Sequence, residues 1–97
     1  MSQRLLVAGA INTDLVATMD RAPDAGETIT AQRFETFGGG KAANQAVSAA
    51  RNRAQTVMLG ACGRDVNGTA RIADLARDRI DTTWVRMDDQ HGSGVAM

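Results

Sequence analysis

The sequence predicts an α/β fold, the opening of a doubly wound parallel sheet, and three observations carry that prediction. Residues 4–10 (RLLVAGA) and 56–62 (TVMLGAC) are short continuous apolar runs, the pattern of strands buried on both faces. Each is followed, at once or after an insertion, by a segment of helical period. The resulting order of strand, hairpin insertion, helix, strand, helix, strand is that of crossover units on one sheet.

The first run, residues 4–10, gives the first strand. Gly9 then opens a loop into Asn12 and Asp14, polar groups just past the carboxyl end of a parallel strand, where open α/β sheets place their ligands. Turn hydrogen bonds to nearby backbone are the competing reading of both residues. Residues 15–19 are a short mixed run, and Pro23 and Gly26 punctuate the loop after it. Residues 27–37 (ETITAQRFETF) alternate, with Thr28, Thr30 and Gln32 set against Ile29, Ala31 and Arg33. Alternation means one wet face, so these strands belong to a separate, half-exposed sheet beside the main one.

The helix that follows carries Ala43, Ala46, Val47 and Ala50 at the i, i+3, i+4, i+7 spacing, a small-residue face that can lie close to a sheet. Asp65 is placed to cap the next helix, with Ile72, Leu75, Ala76 and Arg79 along one stripe. Residues 84–87 read as a weak strand, 88–94 as a polar turn and 95–97 as the start of another strand. A chain that stops as a strand begins is expected to be the N-terminal piece of something larger.

Composition excludes several function classes. Eleven basic residues balance eleven acidic ones in 97, which leaves no electrostatic footprint for nucleic acid or an anionic membrane. Aromatics are few (Phe34, Phe37, Trp84, no Tyr), which disfavours a base-stacking surface. No apolar run approaches the ~18 residues of a membrane span, and the N-terminus lacks the pattern of a secretory signal. The lone Cys62 reads as a small buried hydrophobe, and a cytoplasmic location fits. His91 stands in a loop with no second ligand nearby, and Trp84 reads as a packing residue.

The chemistry concentrates in residues 37–50 (FGGGKAANQAVSAA), three glycines feeding a helix N-terminus. Glycines let backbone approach a ligand closely, and the first-turn N–H groups lack helical partners. Lys41 and Asn44, three apart, share a face at that helix mouth. A phosphate loop is excluded by spacing. Glu35 stands five positions before Gly40 where a glycine is required, and Ala42 after Lys41 has no hydroxyl for magnesium. The dinucleotide fingerprint fails too, because these glycines do not follow the first strand.

Five motifs in register carry a family resemblance. They are Asn-x-Asp at Asn12 and Asp14, PDAGET at 23–28, GGKAANQA at 39–46, GRDVNG at 63–68 and SGVAM at 93–97. Together they resemble the N-terminal half of the ribokinase-like sugar kinases (the PfkB carbohydrate kinase family), over the whole chain, and are most similar to its ribokinase branch. The resemblance implies a Rossmann-like α/β/α fold with a small β lid, its strands at about 12–19, 27–37 and 84–97 within one unit spanning 1–97. It implies sugar binding by Asn12, Asp14, Gly39, Gly40, Lys41 and Asn44, with the glycines letting the sugar approach the backbone. A sugar hydroxyl both donates and accepts, and Asp, Lys and Asn together meet both needs.

The implied reaction moves the ATP γ-phosphoryl group to a primary sugar hydroxyl, ribose first among the candidates. Another sugar or a nucleoside is the alternative substrate. In the family ATP, Mg2+ and in some members a monovalent cation take part, but the G-A-G-D motif with its aspartate base and anion hole lies later than this chain extends. No catalytic residue is therefore expected here, and the chain alone is expected to be inactive. A lid-mediated contact, including a homodimer, is the non-catalytic alternative. One departure bears on folding: Arg53 and Arg79 stand where the family has glycine at helix ends, a position that favours αL backbone.

Overall fold

The computed structural model describes residues 4–97. Residues 1–3, part of the stretch tested for a secretory signal, lie outside the described residues. Among the described residues six strands and two helices run in the order β1 (Arg4–Ala8), β2 (Asn12–Thr18), β3 (Arg33–Gly39), α1 (Lys41–Arg51), β4 (Gln55–Gly63), α2 (Val66–Arg77), β5 (Val85–Asp88) and β6 (Gly94–Ala96). They form two three-stranded sheets, a parallel one ordered β1-β4-β5 and a smaller one ordered β3-β2-β6. In the small sheet β2 is antiparallel to β3 and parallel to β6.

Two boundaries differ from the sequence reading. Residues 27–32 are not strand. They form a loop held by side chains, with Arg21 donating to both carboxylate oxygens of Glu27 at 2.6 and 2.8 Å and Gln32 donating to Asp20 at 2.6 Å. The strands of the segment 84–97, which the resemblance implies belong to the lid, divide between sheets: β5 pairs with β4 in the parallel sheet, and only β6 joins the small one. Asn12 and Asp14, which follow the loop opened by Gly9, begin β2, close to the lid strand at about 12–19 that the resemblance implies.

The strands expected to be buried on both faces are buried on one. Val7, Met58 and Cys62 pack against Ala43 and Ala46 of α1 and Leu75 of α2 in a single core. On the other face Leu6 is 61% exposed and Leu59 40%. The topology explains this. The chain steps from β1 to β4 to β5 in one direction, and right-handed crossovers then put both helices on the same side. Trp84, read as a packing residue, is exposed on this chain. Cys62 is buried as expected, and burial pushes its thiol above the ordinary value.

The buried stripe of α2 is Gly68, Arg71 and Leu75, rotated from the one the sequence suggested; Ala76 is exposed and Arg79 lies beyond the helix. Both helices end in the same way. Arg53 and Arg79 adopt φ of 71° and 65°. At α1, Arg53 N–H donates to the Ala50 carbonyl and Ala54 N–H to Ala49; at α2, Arg79 donates to Ala76 and Ile80 to Leu75. These are Schellman closures with arginine in the glycine position. The αL backbone costs an L-residue about 1 kcal/mol or more. Arg53→Gly and Arg79→Gly are each expected to stabilise the protein by about 1 kcal/mol, raising the thermal midpoint by a few degrees per site. A thermal unfolding series of the two single variants checks this.

Candidate functional site

The small sheet sets the site by register. Paired residues on neighbouring strands point to the same face. Asn12 is flanked by Gly39 on β3 and Gly94 on β6, and Asp14 by Phe37 and Ala96. Both flanking glycines are filled by site side chains. A Cβ on Gly39 would stand 2.5 Å from the two Asp14 carboxylate oxygens, and one on Gly94 would collide with Asn12 Oδ1. Glycine at 39 therefore seats the Asp14 carboxylate, and glycine at 94 seats the Asn12 amide. The sequence reading includes Gly94 in the SGVAM motif but not among the site residues, because its partner lies at the other end of the chain.

The glycine loop joins this sheet to α1. Gly40 is the residue before the helix, with φ 96° and ψ 134°, a conformation reserved for glycine. A Cβ there would collide with the Ala10 carbonyl oxygen. That same oxygen accepts from the Ala43 N–H at 3.2 Å. One of the first-turn donors expected to face a ligand is thus used by the chain itself. Lys41 opens α1 with its side chain exposed, and no acidic residue stands in the first turn. A cation at a helix N-terminus opposes the helix dipole, so this end carries concentrated positive potential suited to oxygen ligands.

Asn12 and Lys41 line one cavity of about 440 Å³, together with Gly9, Ala10, Ala42 and Gln45. Asn44 is exposed one turn into α1 and does not line it. Gln45, four residues after Lys41, does; the sequence reading passed it over, although i,i+4 spacing places it beside the lysine. Of the six residues singled out, the structure brings Asn12, Asp14, Gly39 and Gly40 to the junction of β2, β3 and α1, with Lys41 at its rim. Among the described residues no three His, Cys, Asp or Glu side chains converge as a metal site.

A polar clasp anchors β6, and so Gly94, to the parallel sheet. Asp65 caps α2 by accepting from Gly68 N–H at 2.7 Å, and also accepts from the Ser93 backbone N–H at 2.9 Å and the Ser93 hydroxyl at 2.7 Å. Ser93 Oγ in turn accepts from Gly63 N–H at 3.0 Å. The bonds from Ser93 and Gly68 hold the Asp65 carboxyl below the usual carboxylate range. A depressed folded-state pKa gives stability that is complete above the unfolded value of about 3.9 and is lost as pH falls through the folded value. Asp81 and Asp88 are lowered in the same direction by their own backbone and side-chain bonds. Asp65→Asn is expected to be less stable than the parent at pH 7 and to converge on it as pH falls below about 4. Urea titrations at the two pH values test that convergence; parallel curves at both would remove Asp65 from the acid response.

Comparison with known proteins gives this geometry its relatives. The family model for pfkB family carbohydrate kinases matches residues 2–97. Ribokinase of Bacillus subtilis is 42% identical over 94 residues, covering 97% of this chain and 32% of that protein. Deoxyribokinase of Salmonella typhimurium is 37% identical over 92 residues, covering 95% and 30%. The structure of Arabidopsis thaliana ribokinase complexed with ribose and ATP superposes with a TM-score of 0.87 at 32% identity, over 98% of this chain and 31% of that one. The chain thus spans about a third of the length of these relatives. No helix among the described residues is long and apolar enough to cross a membrane. The family model spans nearly the whole chain, and the chain belongs to the pfkB family of carbohydrate kinases.

Proposed function

We propose that this chain is the sugar-selecting part of an ATP-dependent kinase that phosphorylates a small sugar at a primary hydroxyl, with ribose the first candidate, working in the cytoplasm. The observation that carries the reading is the seating of Asp14 and Asn12 over Gly39 and Gly94. Two polar side chains of different hydrogen-bonding character are held side by side on one face, next to a cationic helix start. That set accepts from and donates to vicinal hydroxyls. The names of the relatives support both substrate and nucleotide, since ribokinase and deoxyribokinase recur among them and the Arabidopsis structure holds ribose and ATP.

In this reading Asp14 accepts from sugar hydroxyls, Asn12 and Asn44 donate and accept, and Lys41 donates from the helix start. Gly39 and Gly40 keep the floor of the site at backbone level. Positioning of this kind is most of what phosphoryl transfer asks of a protein. The general base, the anion hole and the ATP, Mg2+ and monovalent-cation sites are assigned to the part of the protein beyond residue 97, so the 97-residue chain alone does not turn over ATP. The test is coupled ADP release by the whole protein with ribose, 2-deoxyribose, fructose and a nucleoside. Ribose-dependent turnover is expected; turnover with none of them, or with the isolated chain, overturns the assignment.

A second reading rests on the small sheet's apolar surface. Phe34 is 59% exposed and Val95 51% on the face away from the site, and Val16 is exposed on the site face. β3 is an outer strand of this sheet. An unpaired apolar edge of this kind favours a homodimer through the lid. Sedimentation at varied concentration decides it.

A further inference from the structure

Arg71 stands where a helix facing a core ordinarily carries an apolar residue. It occupies the buried stripe of α2 between Gly68 and Leu75 and is 9% exposed. Its Nη1 donates to Thr13 Oγ1 at 3.2 Å, and Thr13 is fully buried. Its Nη2 pairs with Asp74 Oδ2 at 3.0 Å. Its Nε is buried and has no partner among the described residues. An unpaired buried donor is costly, and a helix paying nothing for it would place leucine there instead. What the guanidinium touches explains its position.

Thr13 pairs with Gly38 across β2 and β3, and this row faces away from the row of Asn12, Gly39 and Gly94. Arg71 reaches both members of the row. It bonds Thr13, and a Cβ on Gly38 would stand 3.6 Å from its Nε and 3.5 Å from Asp74 Oδ2. The Arg71 side chain and its carboxylate partner therefore lie against the glycine, on the face opposite the site. Beside them opens a cavity of about 480 Å³ bounded by Gly38, Val47, Asp74 and Asp78.

We infer that Arg71 is a positioning residue for the sugar site. It acts as a strut from α2 that fixes the Thr13–Gly38 row, and through it the spacing of Asn12, Asp14 and Gly39 on the opposite face. This inference rests on the sugar-site reading above. The strut touches no substrate, so it acts on sugar affinity and leaves nucleotide use alone.

The experiment compares Arg71→Met, Thr13→Val and the double variant of the whole protein with the parent. Each single change is expected to raise the KM for sugar about tenfold, the scale of one lost hydrogen bond to a charged group. The nucleotide KM and kcat are expected to stay within about twofold, and the double variant to match the worse single, because the two residues form one contact. Additive losses, equal rises in both KM values, or an unchanged sugar KM each overturn the proposal. Should Arg71→Met fail to fold, Thr13→Val keeps the volume and carries the test. Amide hydrogen exchange provides an arm that needs no sugar: in either variant the amides of 12–14 and 37–39 should exchange faster, with α1 unchanged. If the parent accepts no sugar, the site reading falls while exchange still decides the strut; unchanged exchange at those amides removes it.

Discussion

Asp14→Asn in the whole protein is expected to weaken sugar binding by about tenfold to a hundredfold while leaving the unfolding midpoint nearly unmoved. The carboxylate occupies the space that Gly39 leaves free, 2.5 Å from where a Cβ would be. Asparagine has the same outline and fits the same seat, so the fold has little to lose. The sugar loses more. A carboxylate accepts from two hydroxyls at once, whereas the amide replaces one acceptor by a donor and removes the charge. Hydrogen bonds to a charged group contribute about 1.5–3 kcal/mol, and the loss of one gives the stated range. Calorimetry with ribose and thermal unfolding, run on the same preparation, check both halves. Unchanged ribose affinity would take Asp14 out of the site.

The parts of this molecule that sequence made legible are those with local causes. The 3.6-residue period of α1, the apolar run of β4 and the Asp65 cap of α2 each depend on residues close in the chain. The arginines at 53 and 79 were also readable as unusual, because a helix end has a defined place for glycine. Non-local pairing was not legible. Nothing near Gly94 says that it will lie beside Asn12, and nothing near residue 84 says that the next two strands will part for different sheets.

The start of β3 shows a subtler failure. Alternation in 27–37 suggested strand, yet the strand observed is Arg33–Gly39 and ends in two glycines, residues that strands usually lack. Each glycine is there because a side chain from elsewhere lies over it, Arg71 against Gly38 and Asp14 against Gly39. Composition penalises such glycines, and only the folded neighbours explain them. Arg71 was hidden for the matching reason, since arginine on a helix reads as a solvated residue until its partner is known.

The two glycines at the end of the loop separate these roles, and substituting each by alanine should show it. At Gly39 the obstacle is the end of the Asp14 side chain, which can rotate away. Gly39→Ala is therefore expected to cost at most about 1 kcal/mol of stability, yet to lose sugar affinity as fully as Asp14→Asn, with the double variant no worse than the weaker single. At Gly40 the obstacle is backbone. The new Cβ would meet the Ala10 carbonyl oxygen and stand 2.9 Å from its carbon, on a residue already at φ 96°. Backbone strain and overpacking each cost about 1–3 kcal/mol, so Gly40→Ala is expected to lose about 3 kcal/mol or more. Relief by shifting Ala10 would break the bond that its oxygen accepts from Ala43 and unseat the first turn of α1. Urea unfolding of the two variants separates them: a Gly40→Ala protein within 1 kcal/mol of the parent would mean that the loop can relax. The helix start would then not be held by the close approach of Gly40 to Ala10.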